Sequence, residues 1–207
     1  CYFGFRDSIG QEKLAIISSG QYTVETFCRA LAYLLTRLDS RGLYHSKDPF
    51  AYRATPLDFS AIRPTTVDLA GAVVYDVQYN FTTSKFTITS GFAGPTALVN
   101  DPFGNPIEID ATRAAPSFSL LFQPSSLNRI ATSVSDLTSL CTSSYVDRIA
   151  NLLGFEIQDY INDSSFTSDN ASHIPRIAHT LSQGAAFTLA RPKTLAFSAP
   201  DFIGVDT

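Results

Sequence analysis

The chain has 207 residues and a formal net charge of −4, with 44% apolar, 12% aromatic and 16% charged residues. This length suits one large domain or two small ones and allows a sizeable core. The composition excludes an extended disordered chain, a collagen and a coiled coil, and no apolar run approaches the about 18 residues of a membrane span. Hydroxyl side chains are abundant, with 23 Ser and 20 Thr. These features indicate a β-rich globular domain and predict no membrane span.

The basic residues give no sign of a nucleic-acid-binding surface. The 15 Lys and Arg residues are scattered along the chain and form no basic run. Proteins that bind nucleic acids need clustered positive charge to displace counterions from the phosphates. We therefore expect no sequence-specific binding of nucleic acid.

The N-terminal part predicts β-structure followed by a long helix. Alternating aromatic residues, a polar turn at 7–11 and an apolar run predict strands within residues 2–17. Apolar residues at helical spacing over 23–38 predict an amphipathic helix packed against a sheet. Thr23 is expected to cap its start and Gly42 to mark its stop. The apolar stripe consists of Val24, Phe27, Cys28, Leu31, Leu34, Leu35 and Leu38.

The rest of the chain predicts short strands joined by turns rich in Gly and Pro. A short helix is expected at about 145–153, closed by Gly154. The predicted strands are a hairpin with arms 73–79 and 86–89, a strand at 118–122, and late strands at 187–189 and 194–197. The expected loops and connections are 43–70, a polar connection opened by Pro124, residues 157–184, and turns around short strands over 91–117.

These elements predict one mainly β domain over residues 1–207. Many short strands between turns, with few helices, favour a jelly-roll-like β-sandwich that carries the helices at about 23–38 and 145–153 as insertions. The chain starts at Cys1 and contains no Met. We therefore expect a processed product or a fragment of a longer chain.

The cysteines offer one alternative function. Cys1, Cys28 and Cys141 are too far apart for a zinc motif and too few for a disulfide framework, and Cys28 lies in the apolar stripe of the predicted helix. A free N-terminal cysteine is the nucleophile of one group of hydrolases, which also need an Arg, Asp or Asn around it. Arg6 and Asp7 are the nearest such residues in sequence.

Other chemistry-bearing motifs are missing from the sequence. It contains no HExxH, GxSxG, Walker or GxGxxG motif, and we assign no catalytic residue, no cofactor-binding residue, no metal ligand and no cofactor. We predict that the chain is not an enzyme. The histidines are expected to be solvated loop residues, and they are His45, His173 and His179. A cation site in one loop is a weaker alternative, and its residues are Asp101, Asn105, Glu108 and Asp110.

Three Asn-x-Ser/Thr sequons begin at Asn80, Asn162 and Asn170. Such sequons are acceptors for N-glycosylation when a chain is secreted. With this many Ser and Thr residues several sequons arise by chance, and no signal peptide is visible. They leave a secreted glycoprotein as an alternative.

Five short pieces occur in a fixed order along residues 14–155. They are the strand Leu14–Ile17, the segment Gly20-Gln-Tyr-Thr23 leading into the amphipathic helix, the hairpin arms Val77-Gln-Tyr-Asn80 and Lys85-Phe-Thr-Ile88, the strand Phe118–Phe122, and Arg148-Ile-Ala-Asn-Leu-Leu-Gly-Phe155. This order resembles the jelly-roll capsid proteins of the adenovirus-like, polinton and virophage lineage. The resemblance covers about two thirds of the chain.

The resemblance implies a structural coat protein of a virus. Such a chain would be a penton-like or minor coat protein, or part of a hexon-like major capsid protein, because a double jelly roll needs roughly twice this length. It implies assembly in the host cell, residence in the virion, and association with copies of itself and other capsid proteins as a trimer or pentamer. The loops at 43–70 and 91–117 are the expected contact surface. Two alternatives remain, a secreted β-sandwich binding module and a hydrolase that uses Cys1.

Overall fold

A computed structural model describes residues 2–17, 20–44, 71–94, 108–133, 149–173 and 186–189. Within these residues the chain is mainly β, as predicted, with nine strands and two complete helices. The strands are β1 (Tyr2–Arg6), β2 (Glu12–Ile16), β3 (Gly20–Thr23), β4 (Val73–Asn80), β5 (Lys85–Phe92), β6 (Phe118–Leu121), β7 (Asp159–Asp163), β8 (Ser165–Thr167) and β9 (Ala186–Leu189). The helices are α1 (Val24–Leu38) and α2 (Pro124–Ser133), and residues 149–153 are also helical.

The strands form three sheets in which all neighbours run antiparallel. One sheet has the order β2-β1-β6-β7, another has the order β4-β5-β8, and β3 pairs with β9. The two larger sheets meet through aromatic rings: Tyr75 of β4 lies 5.5 Å from Phe5 of β1 and 5.2 Å from Phe118 of β6, between ring centroids. Antiparallel sheets joined by such a core are consistent with a β-sandwich.

β1 is buried on both of its faces. Phe3 and Phe5 point into the aromatic core and are fully buried. Gly4 points to the other face, where α2 packs: a Cβ on Gly4 would lie 2.8 Å from Ile130 Cδ1 and 2.8 Å from Leu121 Cβ. The glycine therefore allows a helix to lie directly on the strand.

Helix α1 confirms its sequence prediction closely. Thr23 caps it, since its hydroxyl accepts from the Thr26 N–H at 3.1 Å while the Thr26 hydroxyl accepts from the Thr23 N–H at 2.8 Å. Every residue of the predicted apolar stripe is buried. Phe27 has no exposed surface, and its ring contacts Tyr22 and Phe86 at 5.7 and 5.8 Å. The helix is held by packing of this stripe.

The end of α1 differs from the expectation for Gly42. The helix ends at Leu38, with Asp39 in an extended C-cap conformation, and a turn follows in which the Gly42 N–H donates to the Asp39 carbonyl at 2.8 Å. A Cβ on Gly42 would lie 1.7 Å from the Thr36 carbonyl oxygen. The glycine is required by this close approach and not by a left-handed helix cap.

Helix α1 also lies along the edge of β4. The Tyr75 N–H donates to the Thr36 hydroxyl at 3.0 Å, and that hydroxyl donates to the Ala32 carbonyl at 2.8 Å. Backbone donors on a sheet edge otherwise invite pairing with another chain. The helix therefore covers this edge.

The β4–β5 hairpin is confirmed, with Val73 opposite Phe92 and Asn80 opposite Lys85. Two other regions were predicted wrongly. The segment after Pro124 is the helix α2 and not a polar connection, and the polar region after residue 157 contains β7 and β8 and not only loops.

Physical reasons explain both errors. Proline is favoured at the first position of a helix, and α2 buries only Ser126, Leu127 and Ile130 among its described side chains, so its apolar signal is small. β7 and β8 have mostly exposed or half-exposed side chains. They consequently lack the apolar alternation that marks a strand.

The predicted closure of the short helix at Gly154 is confirmed. Gly154 has a φ of 82°, and the Phe155 N–H donates to the Ala150 carbonyl at 2.9 Å while the Gly154 N–H donates to the Asn151 carbonyl at 3.1 Å. This is the hydrogen-bond pattern of a Schellman motif. The start of that helix at 145–148 and the strand predicted at 194–197 lie outside the described residues, whereas β9 confirms the strand at 187–189.

None of the helices in the described ranges combines the length and the apolar character that a membrane-crossing helix requires.

Candidate functional site

The residues nearest to Cys1 in sequence are engaged in structural contacts. Cys1 itself lies outside the described residues. Arg6 pairs with Glu12 across the β1–β2 hairpin at 2.7 Å. Asp7 is 2% exposed and serves the hairpin turn, where its Oδ1 accepts from the Ile9 and Gln11 N–H groups at 3.1 and 2.8 Å. Arg6 and Asp7 therefore serve the β1–β2 hairpin.

Asp7 also connects the hairpin turn to the end of α1. Its Oδ2 accepts from Lys13 Nζ at 2.8 Å, from the Ser40 N–H at 3.1 Å and from the Ser40 hydroxyl at 2.6 Å. Lys13 Nζ donates in addition to the Leu38 carbonyl at 2.5 Å. Burial raises the pKa of Asp7, but the hydrogen bonds from Lys13, Ser40 and Gln11 and the charge of Lys13 outweigh it and lower that pKa overall.

Asp39 is the second carboxylate of this cluster and has no exposed surface. Its Oδ1 accepts from the Ser8 hydroxyl at 2.7 Å and the Arg41 N–H at 2.8 Å. Its Oδ2 accepts from the Ser8 N–H at 2.9 Å and the Tyr75 hydroxyl at 2.7 Å. Burial, with the nearby charge of Asp39, raises the pKa of Tyr75, so this hydroxyl remains a donor.

The buried aspartate cluster, Asp7 and Asp39 with these donors, is thus a structural joint. Each of the four carboxylate oxygens accepts two or more hydrogen bonds. Buried charges are tolerated only when they are paired and hydrogen-bonded in this way. The cluster fixes the β1–β2 turn, the end of α1 and β4 to one another and leaves little acceptor capacity for a substrate.

Glu12 forms a second joint, which fastens α2 to β2. It accepts from Arg129 Nε at 2.9 Å and Arg129 Nη2 at 2.7 Å, besides its contact with Arg6. The hydrogen bond from Arg129 is the main reason that the pKa of Glu12 is lowered. The bidentate geometry gives this pair directional specificity.

The loop cation site gains no support from the residues that are described. Asp101 and Asn105 lie outside them, and the Asp110 carboxylate caps its own turn by accepting from the Thr112 N–H and hydroxyl at 3.0 and 2.6 Å. Among the described side chains, no group of three or more His, Cys, Asp or Glu is placed to hold a metal ion.

Of the remaining candidates, the structure describes Cys28 and His173. Cys28 is a buried core residue, as predicted, and burial first, then the charges of Asp76 and Glu25, raise the pKa of its thiol to about 12. His173 is exposed, as expected for a solvated histidine, whereas His45, His179 and Cys141 fall outside the described ranges. The Cys28 thiol is therefore not an activated nucleophile.

All three sequon asparagines, Asn80, Asn162 and Asn170, are exposed. Asn80 begins the β4–β5 turn, where its side-chain oxygen accepts from the Thr82 and Thr83 N–H groups at 2.9 and 3.1 Å. Asn162 has a φ of 57° near the end of β7. Exposed asparagines of this kind are accessible to a modifying enzyme.

One side of the molecule collects arginines and aromatic rings, and we call it the arginine–aromatic surface. Arg113 Cζ lies 3.7 Å from the ring centroid of Phe92, and Arg41 Cζ lies 5.3 Å from it. Arg37 Cζ lies 6.0 Å from the Tyr33 ring, and its Nη1 donates to the Tyr33 hydroxyl at 3.3 Å. In the described part of the chain none of these three arginines forms an ion pair with a carboxylate.

The segment 156–169 has the opposite character, and we call it the acidic segment. It carries Glu156, Asp159, Asp163 and Asp169 and contains no Lys or Arg. The carboxylates of Asp159, Asp163 and Asp169 accept hydrogen bonds from nearby N–H and hydroxyl groups, but none of the four carboxylates forms an ion pair with a described basic side chain. Ile157 and Ile161 of this segment are 45% and 56% exposed.

Sequence reasoning missed both surfaces. Arg41 and Arg113 are 72 positions apart and become neighbours only because Val73 pairs with both Phe92 and Gly42. The acidic segment is visible in the sequence as a stretch without basic residues, and that signal could have been used.

Comparisons of the chain with family models, with curated proteins and with solved structures found no match.

Proposed function

We propose that the chain is a structural coat component that assembles with copies of itself and with other capsid proteins into a virion shell. In this proposal the β-sandwich is a single jelly-roll-like domain over residues 1–207, or one part of a longer chain. Its role is packing and not catalysis, and it acts in the virion after assembly in the host cell.

The observation that carries the proposal is the ordered pattern on which the resemblance rests. The strand before α1, the capped amphipathic helix, the β4–β5 hairpin, the strand β6 and the Gly154 helix end all occur in the expected order in the fold. They enclose one aromatic core between antiparallel sheets. A chain with these elements and no assembled catalytic group among its described residues suits a packing role.

The state of assembly tests this proposal directly. The purified chain at micromolar concentration is expected to form trimers, pentamers or larger closed species in mass photometry and electron microscopy. Obligate interfaces of this kind bury on the order of 2,000 Å² or more. A strictly monomeric species at every salt concentration and pH would contradict the coat proposal.

A secreted binding module is the second candidate, and the exposure of all three sequons favours it. Expression through a eukaryotic secretory pathway tests it, with removal of N-glycans by a glycosidase as the readout. A mass decrease on treatment, combined with a monomeric state, would favour the secreted module. The predicted loop contacts at 43–70 and 91–117 lie largely outside the described residues, so they do not discriminate between the two.

A further inference from the structure

We infer that the arginine–aromatic surface is a docking site for the acidic segment of a second copy of this chain. The inference deepens the proposed coat function and rests on it, because it names the surfaces through which copies associate. Both surfaces belong to described residues, and the argument depends on their charge, exposure and position.

The arginines are arranged to receive carboxylates. Arg41 and Arg113 are exposed, and both guanidinium groups lie over the Phe92 ring. Arg41 Nη2 donates to the Gly71 carbonyl at 3.4 Å, and the planar fork of a guanidinium stacked on an aromatic ring matches a carboxylate through its other N–H groups. Arginine and aromatic residues are also the types enriched at the centre of protein interfaces.

The acidic segment supplies complementary groups. Glu156 and Asp163 are exposed, and the exposed side chains of Ile157 and Ile161 lie in the same segment. Among the described residues these two are half of the four large apolar side chains that are exposed. Carboxylates beside apolar side chains fit a surface that offers guanidinium groups beside aromatic rings.

The sheet edges and the charges together indicate which surfaces of two copies meet. β7 is the last strand of the sheet β2-β1-β6-β7, whereas the edge of β4 is covered by α1. Two acidic segments repel each other, and so do two arginine surfaces. The favoured contact therefore joins unlike surfaces, and a head-to-tail contact of this kind forms a ring where the rotation between copies closes.

Reciprocal charge reversal tests this docking. One variant is Arg41→Glu with Arg113→Glu, and the other is Glu156→Lys with Asp163→Lys. Each alone is expected to weaken self-association at least about tenfold, a scale set by close interfacial charge pairs. An equal mixture of the two is expected to restore the contact between unlike variants, as dimers or other even-numbered species, because each then supplies a surface that the other lacks. Restoration also shows that both variants are folded.

The control is Arg29→Glu, compared with Arg41→Glu alone: both make the same change in net charge, but Arg29 is an exposed residue outside the two surfaces. It is expected to associate like the unmodified chain. If the reversal variants also associate normally, the docking inference is wrong while the coat proposal stands. If the unmodified chain never associates, both are wrong. If a single-stranded oligonucleotide binds in a manner that requires Arg41 and Arg113, while association is unchanged in their variant, the surface serves nucleic acid and the inference is overturned.

Discussion

Replacing Asp39 by Asn tests whether the buried aspartate cluster is the structural joint described above. The amide has nearly the same shape as the carboxylate but only one acceptor oxygen. Oδ1 accepts from the Arg41 N–H and Oδ2 accepts from the Ser8 N–H. Whichever way the amide is turned, one of these backbone donors faces an NH₂ group. The hydroxyls of Ser8 and Tyr75 can reorient, but a backbone N–H cannot.

The expected loss of stability follows from the one backbone N–H that is left without an acceptor. A buried donor left without an acceptor costs about 1–3 kcal/mol in unfolding free energy. The central value, about 2 kcal/mol, corresponds to a melting temperature lower by roughly 4–8 °C for a chain of this size. Differential scanning calorimetry or urea unfolding at neutral pH measures this directly.

Asp76→Asn is the matched control. Asp76 is half-buried, and its carboxylate accepts from Gln78 Nε2 at 2.7 Å in an exposed contact. Substitutions of this kind usually change stability by less than about 0.5 kcal/mol. If Asp39→Asn proved as mild as Asp76→Asn, the cluster would not be holding the elements together and the reasoning would fail.

Two further changes probe the core and the charge of the same region. Phe27→Ala is expected to lower the free energy of unfolding by about 3–5 kcal/mol, because Phe27 is fully buried. Arg29→Ala, on the exposed face of α1, should change it little. Chemical unfolding of both variants measures the difference, and equal effects would refute the assigned helix face. The pKa of Asp7 is lowered in the folded state, so its contribution is complete above the ordinary value of 3.8 and is lost as the pH falls through the lower folded pKa. Unfolding measured from neutral to acid pH should lose less stability in Asp7→Asn than in the unmodified chain, and identical pH profiles would refute this linkage.

Elements with a strong local signal could be predicted from the sequence. The stripe of α1 and its Thr23 cap are encoded within one short segment, and so is the alternation of β4 and β5. Helix α2 and strand β7 could not be predicted because they lie at the outside of the sheet, where few side chains need to be apolar. Their structure depends on tertiary partners: the Asp159 carboxylate of β7 accepts from the Gln123 N–H at the start of α2 at 2.9 Å.

The buried aspartate cluster was even less visible in sequence. Asp7 and Asp39 are 32 positions apart, and nothing near either residue indicates that Asp39 accepts from Ser8 while Asp7 accepts from Ser40. Hydrogen bonds between a hairpin turn and a helix end arise from the packing of whole elements. Composition and periodicity predict which residues are buried, but they carry no information on which polar groups meet.

The buried aspartate cluster and the proposed docking surface are physically connected, and this predicts that Asp39→Asn impairs assembly as well as stability. The Arg41 N–H is bound by Asp39, so the carboxylate fixes the backbone from which the Arg41 guanidinium reaches Phe92. Loss of that hydrogen bond leaves the turn after α1 less fixed. The Arg41 guanidinium must then lose conformational freedom each time two copies associate. Self-association of Asp39→Asn, measured well below its melting temperature, should therefore weaken several-fold, while Asp76→Asn associates normally. Unchanged association in a clearly destabilised Asp39→Asn variant would show that the cluster supports the fold without positioning the arginine surface.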